Sequence, residues 1–342
     1  MTVRTVNVME EDWDYLIVLD ACRYDYFERV VDEFFVGQLE KRVSQGASTP
    51  DWLRSNFPDY YHDVVYVSAN TFVNSKVEAG EFDAKRHFPK IVDVCLFGWD
   101  DVLGTVPPRR VVDAALDAMA QFPRHRLIIH FVQPHEPYLA EGYFVKGYPP
   151  PSTDCNGKMR TKIQTYGMDY VIETLLNLMH RLLLKIKIAR FAWTVRERSG
   201  LPPTDWLLRQ VLGLRPILPM DAVRRRYGKR GLREAYAANI RLVLRYVAVL
   251  SHQLMAQGHR TERPRIVITS DHGEMLGEDG RYGHCGGRHG FLSRYKDYPL
   301  IHVPWFTVEA VAASEALELS RYAWEKGRIQ DRVEGLRQRG RL

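Results

Sequence analysis

The sequence predicts an α/β protein with a central, mostly parallel sheet flanked by helices and interrupted by a helical insertion. Three observations carry this expectation. Short apolar, β-branched runs alternate with stretches of helical periodicity. Two of those runs, 15–19 and 266–269, stop at acids that follow closely, Asp20 and Asp271. Between 146 and 230 the alternation gives way to a different texture.

The run Y-L-I-V-L at 15–19 is apolar at every position, as a parallel strand covered on both faces must be. Runs at 64–68, 92–97, 127–131, 266–269 and 300–303 repeat the pattern and are read as further strands. Helices fall between them. A helix over 49–57 opens on Thr49, with Pro50 in the first turn, where its missing N–H costs nothing. Residues 109–121 place V-V-x-A-A-L-x-A-M-A at helical spacing, and another helix runs from about 232 to 257. From 146 to 230 the borders Pro149-Pro150-Pro151 and Pro202-Pro203, the lack of strand patterns and the cluster Arg224-Arg225-Arg226 predict a helical cap or arm. The chain thus divides into a first part of the sheet domain at 1–145, a basic and apolar insertion at 146–230, a second part at 231–310, and a C-terminal helix with a basic tail at 311–342.

A length of 342 residues with 45% hydrophobic and 26% charged content supports one large core or two unequal domains and excludes a disordered chain. The net charge of +6 favours anionic partners such as phosphate or sulfate esters or an acidic membrane face, but is too small an excess to predict specific nucleic-acid binding. Four cysteines with no C-x-x-C pair argue against a zinc ribbon or a disulfide framework. Glu10, Glu11, Asp12 and Asp14 stand where a signal peptide needs its apolar core, so a cytoplasmic chain is expected. The apolar stretch 170–195 is broken by His180, Arg181, Lys185, Lys187 and Arg190, which defeats a membrane-spanning helix. It suits packing on the protein body or peripheral contact with an anionic membrane.

The richest segment is 264–284, where a buried strand delivers Asp271, His272 and Glu274 to one end of a sheet. Open α/β sheets bind ligands at such carboxyl ends. Asp20 repeats the grammar. If the two strands are parallel neighbours, two aspartates meet at one edge and repel unless a cation lies between them. In Q-G-A-S-T-P-D, Ser48 and Thr49 meet a helix start, where a hydroxyl serves either as an N-cap or as a metal-activated nucleophile near the helix dipole. His135, held between Pro134 and Pro137, sits on a stiff loop suited to binding an oxyanion or donating a proton to a leaving group. His130 is expected to be an ordinary core or edge histidine pointing elsewhere, and Arg23 and Asp25 to make local helix contacts. His284 and His289 lie in a Gly-rich loop that lets either imidazole complete a second metal position or touch the ester, with Arg288 as a charge clamp.

In chain order, Asp20, Ser48-Thr49-Pro50, Pro134-His135-x-Pro137, T-S-D-H-G-E-x-x-G-E at 269–278, Tyr282-Gly283-His284 and Val303-Pro304 resemble the sulfatase-like branch of the alkaline phosphatase superfamily. The resemblance covers roughly 13–150 and 232–308. It implies an alkaline-phosphatase-like fold holding one or two divalent metal ions (zinc, manganese, magnesium or calcium). Asp20, Ser48, Asp271, His272 and His284 are the implied ligands. By the same resemblance Ser48 falls at the nucleophile position with Thr49 as its rival, and His135 and His284 lie on the substrate side.

This sequence departs from the branch twice. Ala21 follows Asp20 where sulfatases carry a second aspartate, and S-T-P-D-W lacks the arginine of the C/S-x-P-x-R signature for formylglycine maturation. The resulting expectation is a metal-dependent hydrolase or transferase of phosphate monoesters or diesters, using a Ser or Thr hydroxyl. Its anionic substrate would be a glycan, a lipid head group or a nucleotide. A sulfatase, and a catalytically inactive surface-binding scaffold, are the alternatives.

Overall fold

Tyr15–Leu19 forms β1, every residue of it buried, and its side chains alternate between two cores. Tyr15, Ile17 and Leu19 face one layer of helices, while Leu16 and Val18 face the other. In this computed structural model, residues 3–76, 78–79, 81–151, 175, 218–257, 263–278, 281–284 and 299–312 are described. Most of the insertion, including all but Leu175 of the stretch 170–195, lies outside the described residues, as do Arg288, His289 and the C-terminal tail.

The remaining sheet strands are β2 (Phe35–Val43), β3 (Val64–Ser68), β4 (Lys90–Val92), β5 (Arg126–Phe131), β6 (Ile266–Thr269) and β9 (His302–Val311). Two short strands, β7 (Met275–Leu276) and β8 (Tyr282–Gly283), form a separate hairpin. The seven-stranded sheet runs β2-β9-β6-β1-β5-β3-β4. From β6 to β4 all pairings are parallel, and β9 is antiparallel to both β6 and β2. The fold is therefore α/β with a mixed, mostly parallel sheet flanked by helices.

The helices are α1 (Tyr24–Phe27), α2 (Thr49–Asn56), α3 (Val94–Phe97), α4 (Pro108–Gln121) and α5 (Pro219–Gln257). Helices α4 and α5 cover the Ile17 face, where Val112, Ala115, Leu244 and Val247 are buried. On the opposite face α2 buries Trp52 and Leu53, with Phe57 just beyond its end, against Leu16, Val18 and Ile128. Among the described residues no helix is long and apolar enough to cross a membrane.

Four expectations need correction. The run 92–97 is not a strand: β4 ends at Val92, and Val94–Phe97 is a helical turn that buries Val94 and Cys95 while Leu96 and Phe97 stay exposed. A short apolar run cannot by itself separate the two structures. The last strand runs 302–311 rather than 300–303 and is antiparallel. Strand β2 was not anticipated, because Gly37, Gln38, Glu40, Lys41 and Arg42 interrupt its apolar residues, as suits a sheet edge. The helix expected from 232 begins at Pro219 and kinks at Gly228, whose φ of 72° suits glycine; Met220 and Val223 of its first half join the main core.

Candidate metal and nucleophile centre

Four parallel strands deliver the site. The register pairs Val18 with Thr269, so the chain leaving β1 reaches Asp20 beside the Asp271 that follows β6. β5 leads into the loop that carries His135, and β3 leads to Asn70. All these residues stand at the carboxyl edge, on either side of the central strand.

The Asp271 carboxylate is fully buried and is gripped from three directions. Its Oδ1 accepts the backbone N–H groups of Ala21 at 3.1 Å and His272 at 2.9 Å. Ala21 holds a φ of 59°, a left-handed conformation uncommon for a residue with a Cβ, and this aims its N–H at Asp271. Asp271 Oδ2 accepts the Thr49 hydroxyl at 2.7 Å. His130 Nε2 stands 3.8 Å from the same oxygen. His130 is thus a core histidine as expected, but it does not point elsewhere: Tyr66 meets its Nδ1 at 2.9 Å and turns the other nitrogen toward Asp271.

The two neighbouring hydroxyls part company. Ser48 is the N-cap of α2, with an extended backbone, yet its side chain caps nothing and donates to Asp51 at 2.9 Å. Thr49 Oγ1 faces the acids instead, lies 3.4 Å from His272 Nε2, and accepts from the Asn70 side-chain amide at 3.3 Å. The same amide donates to Asp20 at 2.8 Å. Asn70 therefore fixes the Thr49 proton toward Asp271, a role that sequence reasoning missed. Its signal was the pattern already seen in β1 and β6, a polar residue just past a buried strand.

Imidazole orientation follows from backbone carbonyls. His272 Nδ1 lies 2.8 Å from the Gly273 carbonyl and must carry the proton to donate to it. Nε2 is then a bare lone pair, 3.6 Å from Asp20 and 3.4 Å from Asp271. His135 is fixed in the same way, with Nδ1 at 2.8 Å from the Glu136 carbonyl. Its loop is clamped from α5 by Asn239, whose amide donates to the Pro134 and His135 carbonyls and accepts from Leu139 N–H. Glu136 ties the loop to both stems of the insertion, accepting from the Tyr148 hydroxyl and from the backbone N–H of Met220.

His284 meets Glu274 at 3.1 Å, and its ring lies 4.2 Å from that of His272 and 4.9 Å from that of His135. Burial opposes a charge on His284, but Glu274 overrides it and the imidazole is pushed up to about 9. Desolvation of the half-buried His135, then the neighbouring His284, lower its imidazole to about 4. With no ion bound, these shifts leave the His284 imidazole charged and the His135 imidazole neutral. Glu274, inside the D-H-G-E motif, belongs among the site residues although its role was not assigned from sequence.

These donors fit a divalent cation. Burial, then the neighbouring Asp271, push the Asp20 carboxyl well above its ordinary range, so the metal-free pair resists double ionisation. Asp20 Oδ1 and His130 Nε2 are buried without a hydrogen-bond partner. Ligand atoms of Asp20, His130 and Asp271 lie within 4.8 Å of one another, as do those of His135, Glu274 and His284. Carboxylate oxygens converging with a bare imidazole nitrogen repel until a positive charge joins them. The arrangement brings together Asp20, Thr49, His135, Asp271, His272 and His284, and sets the Ser48 side chain toward Asp51.

No protein-family model and no curated protein matches the chain. Solved structures similar to it include lipooligosaccharide phosphoethanolamine transferase A from Neisseria meningitidis, an integral membrane protein, at 13% identity over 93% of this chain and 53% of that one (TM-score 0.44). Others are the C-terminal periplasmic domain of a phosphoethanolamine transferase from Campylobacter jejuni (13%, 93% and 87%, TM-score 0.42) and the phosphonate monoester hydrolase of Agrobacterium radiobacter (13%, 86% and 67%, TM-score 0.43). The chain spans about half the length of the first of these. At this level of likeness the functional reading rests on the residues of the site.

Proposed function

We propose that this protein is a metal-dependent hydrolase or transferase of phosphate esters in which Thr49 is the nucleophile. The observation that carries the proposal is the Thr49 hydroxyl, hydrogen-bonded to Asp271 at 2.7 Å and adjoining the His272 lone pair at the start of α2. Asp20, Asp271 and His272 would hold a divalent ion; His135, Glu274 and His284 would hold a second only with His284 deprotonated, so the one-ion form is the one that leaves His284 as a proton donor. Bound there, the ion supplies Lewis-acid charge that lowers the pKa of the Thr49 hydroxyl and offsets charge on the ester oxygens.

Asn70 holds the Thr49 hydroxyl with its proton directed at Asp271, and attack passes that proton to the carboxylate as the Thr49 oxygen bonds to phosphorus. The bond from phosphorus to the leaving oxygen breaks in line, and His284 donates the proton that oxygen needs. Water or an alcohol then resolves the phosphothreonine. An unmodified hydroxyl suits phosphoryl chemistry, because a sulfated enzyme lacking the aldehyde hydrate has no elimination route for release. The substrate proposed is an anionic ester of a glycan, lipid head group or nucleotide.

The test is incubation with divalent metals and chromogenic phosphate monoester, phosphate diester and sulfate ester, followed by mass spectrometry of the 48–54 peptide. The expected result is phosphate-ester turnover with a phosphate adduct on Thr49. Formylglycine at position 48 with sulfate turnover would replace this reading with a sulfatase. Absence of metal uptake and of all turnover would replace it with a surface-binding scaffold.

A further inference from the structure

A cleft of about 650 Å³ opens between α1 and the region of α5 just past its kink, lined by none of the metal-centre residues. Among the described residues five cations line it, Arg23, Arg29, Lys229, Arg230 and Arg233. Three acids stand among them, and each is engaged. Asp25 pairs with Arg23 at 2.9 Å, Glu278 bridges Arg23 at 2.7 Å and Arg233 at 3.2 Å, and Glu234 pairs with Arg230 at 2.8 Å. Arg29 and Lys229 are left without a carboxylate partner among the described residues. Arg29 lies over the Tyr26 ring, 5.3 Å from its centroid, and Arg23 lies over the same ring at 4.9 Å. Lys229 donates to the Gly277 carbonyl at 2.5 Å.

Gathering five positive groups around one cavity with three acids leaves repulsion that a bound anion would relieve. Arginine forks and a lysine ammonium match phosphate oxygens, with charge-assisted hydrogen bonds stronger than neutral ones. Among the described residues the excess of two cations matches the charge of one phosphomonoester. The volume falls in the range of small-molecule sites, which leaves room for an organic group beside the phosphate. We propose that this cleft is a second anion-binding site, distinct from the candidate catalytic centre, that takes the phosphate of a phosphomonoester between Arg29, Lys229 and Arg233.

Such a ligand would be felt by the loop that carries Glu274. Lys229 holds the Gly277 carbonyl, Arg233 Nε the Leu276 carbonyl at 3.1 Å, and Arg23 the Glu274 carbonyl at 3.2 Å. An anion that draws these cations toward itself competes with three of the bonds that fix the loop.

Calorimetric titration of the intact chain with glycerol 1-phosphate, in chelator so that divalent ions do not contribute, tests the site. Arg29 and Lys229 are exposed, so Arg29→Gln and Lys229→Gln remove charge without disturbing a core. Each is expected to weaken binding about tenfold, the loss of one hydrogen bond to a charged group, while Thr49→Val leaves it unchanged. Equal affinity in wild type and the double variant, no binding by wild type, or loss of binding in Thr49→Val would overturn the proposal. Co-sedimentation with phosphatidylcholine vesicles carrying phosphatidic acid identifies the ligand's source. Sedimentation that the double variant abolishes points to a lipid head group, and soluble binding alone points to a free phosphomonoester. Vesicle binding retained by a double variant that also keeps its ester affinity would place the membrane contact elsewhere and refute the cleft.

Discussion

Thr49 and Asp271 lie 222 residues apart in the chain, yet the Thr49 hydroxyl donates to Asp271 Oδ2 at 2.7 Å. This bond joins the start of α2 to the end of β6 and sets the orientation of the proposed nucleophile. Ser48, one residue earlier, is turned to Asp51.

Thr49→Val keeps the shape of the side chain and removes the oxygen. Turnover should fall by about 10⁴-fold or more, as losses of nucleophiles do. Ser48→Ala should stay within a few fold of wild type, since its hydroxyl serves a local bond. Steady-state rates with a phosphate diester, measured at saturating metal, separate the two hydroxyls.

Asp20→Asn should weaken metal binding by at least the roughly 10–100-fold typical of outer-shell changes, because it removes a charged ligand. In chelator the same variant should melt at or above the wild-type temperature, since burial and Asp271 both disfavour a charge at position 20. Wild type should gain about 2.7 kcal/mol from an ion at 100 times its dissociation constant. Calorimetry with and without metal reads both signs.

Asn239→Ala breaks the clamp on the His135 loop and leaves buried carbonyls unsatisfied, at a cost of about 1–3 kcal/mol. Metal content should be unchanged at the Asp20 and Asp271 position, while kcat falls. Loss of that metal in the variant would show that α5 supports the whole centre rather than His135.

Glu278 supplies a pH signature. Burial alone would raise its carboxyl, but the Arg23 guanidinium at 2.7 Å holds it below the ordinary glutamate value of 4.5. A carboxyl depressed in the folded state contributes stability above its unfolded value and loses it as pH falls through the folded one. Wild type should therefore lose melting temperature below about pH 4.5 more steeply than Glu278→Gln. Above that pH the variant should be less stable by about 1–2 kcal/mol, given that the pair is only partly shielded from water.

The interior of the fold was legible because strands buried on both faces are apolar without interruption, as in Y-L-I-V-L and I-V-I-T. Edges were not: β2 mixes polar with apolar residues and is only partly buried, and Val94–Phe97 is too short and apolar to announce a helical turn. Asp20, Asp271 and His272 were readable from position alone, just past strands that proved to be neighbours. Asn70 and His130 enter the site through strand order and facing, which periodicity does not encode. Asn239 lies mid-helix, and no local pattern ties it to a loop 100 residues away. Proposing Thr49 rather than Ser48 as the nucleophile required side-chain directions.

Anomalous diffraction from crystals soaked in manganese or zinc tests the central claim most directly. A peak is expected about 2.0–2.6 Å from Asp20, Asp271 and His272 Nε2, with the Thr49 hydroxyl beside it. An ion bound away from Thr49, or none at a concentration that supports turnover, would contradict the account.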